Sequence, residues 1–370
     1  MRVLFDFSAI KEGGGTQLAL NFLQVLPNRF PEDWHADILL PDRGSLAQVK
    51  APLPGSKLYQ APSHPLKRLR FEHGECQHII CSRGVDVIFT FFGPGLPHPA
   101  FVKSIVCAAY PIICYPESPY WRHVELVAGL KKRVLNHFRR IRLKQATLIV
   151  VETEIMKKRI AGVLGLHQDC IRVLKPSVSN YVNARLQNHH EGPFMILCLS
   201  GLSPHKNLWR LYEVASLLNR QGLKDIKFML STTKDGWLRS LKERQPFDSA
   251  VMEMFEFSGA VHPSNINDLY QRADALLSLS DLESFSNNYM EAWKAGLPLI
   301  ASDRDFAREI CKDSAIYVEP HNCRDIANKI TELASSSELR NKLIRIGKGL
   351  LFQLPTLDER VSNILDLLRH

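Results

Sequence analysis

Leu276-Leu-Ser-Leu-Ser-Asp-Leu-Glu283-Ser-Phe-Ser-Asn-Asn-Tyr-Met-Glu291-Ala-Trp-Lys-Ala-Gly296-Leu-Pro298-Leu-Ile-Ala-Ser-Asp303 decides how this chain is read. The stretch has the pattern strand, loop, helix, strand. Residues 275–280 form a short apolar run suited to a buried parallel strand. Ser286, Asn287 and Asn288 are each able to cap a helix, so the spacing predicts a helix over about 288–295. Gly296 stands where a left-handed residue ends that helix, and Pro298 blocks its continuation. Leu297 to Ala301 is the next strand.

Two carboxylates frame the loop. Glu283 follows the carboxyl end of the first strand, and Glu291 lies in the first turns of the helix. Between them the helix N-terminus presents unsatisfied N–H groups and a positive dipole end, which suits an anion. Open α/β sheets bind their ligands at this edge. Carboxylates repel phosphate and attract hydroxyls. A diphosphate with a ribose on one side and a sugar on the other, a nucleotide sugar, meets both demands. The alternative is local: Asn288 and Glu291 have capping-box spacing, and Glu283 reads equally as a solvated loop residue.

Around this stretch strands and helices alternate along the whole chain, the pattern of parallel sheets with crossover helices. At 370 residues there is room for two domains. The boundaries read as 1–180, a polar proline-bounded linker at 181–193, a second α/β domain at 194–355, and a last helix at 356–370 opened by the capping box Thr356-Leu-Asp-Glu359. In the first domain a strand at Val3 to Phe7 leads to Gly13-Gly14-Gly15. Thr16 is the expected N-cap of a helix that Pro27 should end. Glycines after a strand let backbone N–H groups approach a phosphate. The triplet matches neither dinucleotide nor P-loop fingerprint, and a flexible turn explains it equally. In the second domain the strand at Phe194 to Leu199 ends in Ser200-Gly201-Leu-Ser-Pro-His-Lys206-Asn207. A lysine there is able to hold a phosphate as a point charge.

Composition narrows the partners. A 45% hydrophobic and 23% charged content is that of an ordinary globular protein, and the net charge of +9 favours acidic ones. Seven basic residues, Lys131, Lys132, Arg133, Arg139, Arg140, Arg142 and Lys144, concentrate in one helix. This is either a solvated face or a surface attracted to anionic lipid headgroups. Eight cysteines without a C-x-x-C pair argue for thiols in a reducing compartment. The adjacent His189 and His190 lack a third ligand nearby. No signal peptide opens the sequence, and no apolar run is long enough to span a bilayer. The expectation is a cytoplasmic protein, peripheral at a membrane if the basic helix acts there.

Glu283-Ser-Phe285-Ser, Glu291-Ala292 and Gly296-Leu-Pro298 resemble the Glu-x7-Glu segment of the retaining glycosyltransferases called group 1. The resemblance implies the GT-B fold, two Rossmann-like parallel-sheet domains facing across a cleft. It implies transfer of a hexosyl or deoxyhexosyl unit from a nucleotide diphosphate sugar, UDP or GDP type, to a hydroxyl with retention. The acceptor would be a glycan or a lipid-linked sugar of surface polysaccharide synthesis. On this reading Glu283 and Lys206 are catalytic. The donor is held by Glu291, Ser286, Asn287, Asn288, Gly14, Gly15 and the loops at Gly201 and Val261, the last near the base. Glu117 and His123 are acceptor-side candidates, because the polar pair usual in that loop of the family is missing. Two departures stand out: Ser284 and Ser286 replace glycines, and Gly201 replaces the family's phosphate-binding arginine. His205, Arg210 and Lys234 are candidate substitutes. No cofactor, metal or nucleic acid is expected, although Asp303-Arg304-Asp305 has the form of a metal-binding pair with Arg304 offsetting one carboxylate. The rival readings are a sugar-nucleotide epimerase of the same fold and a catalytically inactive partner subunit.

Overall fold

The computed structural model describes residues 1–10, 14–185, 192–241 and 247–369. The chain divides into two compact units. One comprises Met1–Pro116, Glu125–Ser179 and Pro355–His370, and the other Glu117–Val124 and Asn180–Leu354. The reading in chain order placed residues 117–124 within 1–180; they group instead with the second unit.

The first unit is built on a parallel sheet of β1 (Arg2–Asp6), β2 (His35–Pro41), β3 (Leu58–Ala61), β4 (Val87–Phe91), β5 (Lys103–Cys107), β6 (Leu148–Val151) and β7 (Ile171–Val173). Its order is β3-β2-β1-β4-β5-β6-β7. Phe5 of β1 is in register with Ile38 on one side and Phe89 on the other. On one face Phe5, Phe7, Phe22, Phe89 and Phe91 pack ring against ring. The helix Leu357–Arg369 adds Val361, Ile364, Leu365 and Leu368 to the same core. Its start is a complete capping box, with Thr356 N–H donating to Glu359 at 2.8 Å and Glu359 N–H to Thr356 Oγ1 at 3.2 Å. Arg360 is buried and donates to Glu152 at 3.2 Å.

The second unit is built on β8 (Phe194–Cys198), β9 (Ile226–Leu230), β10 (Phe255–Phe257), β11 (Ala275–Ser278), β12 (Leu299–Ser302) and β13 (Ala315–Val318). All its pairings are parallel, in the order β10-β9-β8-β11-β12-β13. The chain builds outward from β8 through β10. It then returns to lay β11 on the other flank of β8, with Ala275 opposite Ile196. The loops that follow β8 and β11 therefore diverge at a topological switch point, the place where such sheets hold ligands. Trp237, Phe228 and Phe255 fill the core beside Leu211, Val214 and Leu218.

Three local expectations give way to the structure. The first helix spans Gly14–Arg29, so Thr16 lies inside its first turn and does not cap it. Pro27 sits within that helix. Its missing N–H costs one bond near the helix end, and Phe30 N–H still closes on the Leu26 carbonyl at 2.9 Å. Asn288 does not form a capping box with Glu291, because the helix Asn287–Ala295 starts one residue earlier, with Ser286 at the N-cap. Gly296 ends that helix in the left-handed conformation, φ 76°, as its position requires. His189, His190 and Gly13 lie outside the described residues.

Candidate functional site at the switch point

Lys206 ends the short turn Pro204–Lys206 after β8, and Glu283 lies in the loop after β11. The Lys206 ammonium donates to Glu283 Oε1. Two residues far apart in sequence thus meet at the carboxyl edge of the two strands that flank the switch point. Neighbouring bonds hold the two loops together. Asn207 is fully buried, in a left-handed conformation of φ 54° that asparagine tolerates better than most residues. Its side-chain amide donates to the Leu279 carbonyl at 3.0 Å and to Asp281 Oδ2 at 2.6 Å. The Asp281 N–H donates to the His205 carbonyl at 2.8 Å.

Asp281 is the hub of this seam. It is 2% exposed, and its Oδ1 accepts from Arg304 at 2.7 Å while His321 Nε2 lies 2.7 Å from Oδ2. Arg304 also makes a forked pair with Glu319, both bonds 3.0 Å. That guanidinium holds the Glu319 carboxyl below its ordinary range. Burial alone would weaken the charge on Arg304, but its bonds to Glu319 and Asp281 outweigh it and raise its pKa. Loops after β8, β11, β12 and β13 are therefore tied through one buried carboxylate. The sequence reading missed Asn207, Asp281 and His321, and took Arg304 only as offsetting one carboxylate of the Asp303–Asp305 pair. Instead Arg308 pairs with Asp303, Nη2 to Oδ2 at 2.8 Å, and Asp305 accepts from the Phe306 N–H at 2.8 Å. Asp281 and Asn207 each stand within two residues of a predicted site residue, and this adjacency was the available signal. Among the described residues no group of three His, Cys, Asp or Glu side chains gathers as a metal-ligand set.

The helix Asn287–Ala295 points its N-terminus at the same edge. Its Ser286 cap makes no side-chain bond to the first turn, so the first backbone N–H groups are not taken by that hydroxyl. Asn288 donates its side-chain amide to the Leu199 carbonyl at 2.6 Å. That amide was expected to face a ligand; it serves instead to fix the helix start against the loop after β8. Glu291 is 1% exposed, and its Oε2 accepts from the Tyr270 hydroxyl at 2.8 Å. Burial, and then the neighbouring Glu291, push the Tyr270 hydroxyl well above its ordinary pKa, so it stays a donor.

The remaining predicted residues fall into four places. Gly201 is exposed in the loop after β8; a Cβ there would meet nothing within 4 Å, so the backbone does not demand glycine. Val261 is half-buried in the loop after β10. Gly14 and Gly15 open the first helix of the first unit, and a Cβ on Gly15 would make only ordinary contacts at 3.6 Å. Glu117 and His123 belong to the second unit, not to the first-domain loop foreseen for them. The His123 ring lies 6.1 Å from both Trp209 and His321, and Tyr120 lies 5.7 Å from His205. Of the three candidate substitutes for the family arginine, Arg210 stacks on Trp209 at 4.1 Å and contacts His321 Nδ1 at 3.0 Å. His205 packs on Tyr120, and Lys234 is exposed at the start of the helix Lys234–Ser240.

Residues 183–349, which contain every element of this site beyond the segment at 117–124, match the family model "Glycosyl transferases group 1". This segment is similar to that family. Probable sucrose-phosphate synthase 4 of Oryza sativa subsp. japonica is 26% identical to the chain over 167 residues, 39% of this chain. The match covers 15% of that relative's own length. Solved structures are similar over essentially the whole chain. HepE of Anabaena in complex with UDP has 13% identity, covers 100% of both chains and gives a TM-score of 0.72. WaaG, a glycosyltransferase involved in lipopolysaccharide biosynthesis, has 14% identity and a TM-score of 0.73 over 98% of this chain and 99% of its own. Sucrose-phosphate synthase of Thermosynechococcus elongatus has 13% identity and a TM-score of 0.70 over 100% of this chain and 98% of its own. At such identities the likeness establishes the fold, and that fold is GT-B, the one expected from the sequence. The matched segment lies within the stretch Asn180–Leu354 of the second unit.

Proposed function

We propose that this protein is a retaining glycosyltransferase. It moves a hexosyl or deoxyhexosyl unit from a UDP- or GDP-type nucleotide sugar to a hydroxyl of a glycan or lipid-linked acceptor in surface polysaccharide synthesis. The observation that carries this reading is the meeting of Lys206 with Glu283 at the switch point, three residues before the N-cap of a helix. The HepE structures in complex with UDP and with UDP-glucose support the donor class, and the WaaG likeness supports the acceptor class.

In this reading the N-terminus of the helix Asn287–Ala295 and the Lys206 ammonium hold the diphosphate. As the sugar–oxygen bond breaks, negative charge grows on the departing diphosphate, and a positioned cation there lowers the barrier. Glu283 orients Lys206 and accepts hydrogen bonds from the donor sugar's hydroxyls. Glu291, oriented by Tyr270, accepts from the ribose hydroxyls, and Val261 lies beside the base. Retention rests on the resemblance to the family. The reaction draws on no metal, because a helix end and a lysine already supply the positive charge; donor turnover therefore persists in excess EDTA. The experiment is a melting-temperature panel of nucleotides and nucleotide sugars. A true donor stabilises by mass action, about 2.7 kcal/mol at about a hundredfold excess over Kd. A panel in which nothing moves the midpoint overturns the reading.

A further inference from the structure

A surface helix ordinarily turns its apolar stripe inward. The helix Leu126–Leu143 of the first unit does the reverse. Its inward residues are Asn136 and Leu143, both buried. Leu126, Leu130, Val134, Phe138 and Ile141 are exposed, Leu126 by 93%, Leu130 by 65% and Phe138 by 59%. At 3.6 residues per turn these five fall on one side of the helix, away from Asn136 and Leu143. An exposed apolar face of this extent marks an interaction surface.

The charges beside it select the partner. Residues 126–144 contain no aspartate or glutamate. Six of the seven cations read from the sequence divide into two groups, and Lys132 is half-buried. Arg139 turns inward over the Tyr110 ring at 4.7 Å, Arg140 donates to the Ile113 carbonyl at 3.4 Å, and Arg142 pairs with Glu72. Lys131, Arg133 and Lys144 are exposed and flank the apolar side. Through Glu72 the helix is tied to the helix Pro65–His73, which itself exposes Leu66, Leu69, Lys67 and Arg70. Apolar side chains rimmed by cations, without an acidic residue among them, are complementary to an anionic bilayer surface: headgroup phosphates for the rim, acyl chains for the centre. Among the described residues no helix is long and apolar enough to cross a membrane. We propose that the Leu126–Leu143 helix docks in the plane of an anionic lipid surface, its apolar side entering the acyl boundary. This is independent of the donor chemistry and is read without turnover.

The experiment is flotation of the full chain with vesicles of phosphatidylcholine alone and of phosphatidylcholine mixed with phosphatidylglycerol. Binding is expected to the anionic vesicles, weakened by added salt and not abolished by it, because the apolar part is not screened. Lys131→Gln and Lys144→Gln each lower affinity about fivefold. The double variant Leu130→Gln with Phe138→Gln lowers it at least about tenfold and removes the salt-resistant part. These side chains are exposed, so an unchanged melting midpoint verifies the fold of each variant. No binding to anionic vesicles at low salt overturns the proposal, as does binding that the double variant leaves intact. Self-association that depends on Leu130 and Phe138, without vesicle binding, would make the face an interface between two copies and overturn it as well.

Discussion

Glu283 and Lys206 neutralise each other, so each sets what the other is able to do. Glu283→Gln removes the carboxylate and leaves the ammonium in place. Nucleotide affinity should hold or rise while transfer slows by about 10²-fold, the cost of losing one group that acts on the reacting sugar. Glu291→Gln should do the opposite, raising the nucleotide Kd about tenfold, equivalent to about 1.4 kcal/mol, with a smaller effect on the rate of bound donor. Calorimetric titration beside single-turnover kinetics separates the two; variants that bind and transfer like the wild type would remove both roles. At Gly201 the open space around a Cβ makes the test constructive. Gly201→Arg should leave stability within about 0.5 kcal/mol and tighten nucleoside diphosphate binding by restoring a second cation. Unchanged affinity would place this loop away from the diphosphate. The places of Glu283, Glu291 and Lys206 in the fold were legible because each stands at the end of a strand or in the first turns of a helix, positions that pattern alone locates. The seam of Asn207, Asp281, Arg304 and His321 was not legible. Its bonds depend on which loops become neighbours when β11 returns beside β8, and strand order is not written in local periodicity.

Elements were legible to the extent that their signals were local. The capping box at Thr356 and Glu359 and the glycine stop at Gly296 formed as read. Thr16 and Pro27 misled because each was a permissible boundary that the helix overran once its residues packed on the Phe5 cluster. The basic helix was read by charge alone, and its apolar side emerged only when the fold showed which residues face inward. Its anchor is Glu72. Burial pushes that carboxyl up, but the Arg142 and Arg68 guanidiniums more than compensate and hold it below the ordinary value of 4.5. A carboxyl whose pKa is depressed by folding contributes stability above its ordinary value and loses it as pH falls through the lower, folded value. Glu72→Gln should therefore cost about 1–2 kcal/mol near neutrality. The difference from wild type should shrink as the solution is acidified below the carboxylate range. Thermal melts of both proteins across that range check this, and a difference independent of pH would show that the two arginines do not depend on the Glu72 charge.

At the scale of the molecule, each sheet reverses its strand order beside its first strand, at β1 and β4 in one unit and at β8 and β11 in the other. The doubled alternation of strand and helix implied two parallel sheets, and the GT-B likeness over the whole chain agrees. The group 1 match lies over the second of them, where the Lys206–Glu283 pair, the Asp281 seam and the Asn287–Ala295 helix converge. The net charge of +9 suits both an anionic donor and an anionic surface, which is why composition alone did not choose between partners. The central claim is that this second switch point turns over a nucleotide sugar with Lys206 on the departing diphosphate. The measurement that tests it most directly is release of nucleoside diphosphate from UDP- and GDP-sugars by the purified full chain, beside the same assay on Lys206→Ala. The account predicts release by the wild type with at least one donor, and a fall of about 10²-fold in the variant at an unchanged melting midpoint. Equal release by the two proteins, or none by the wild type with any donor, would contradict it.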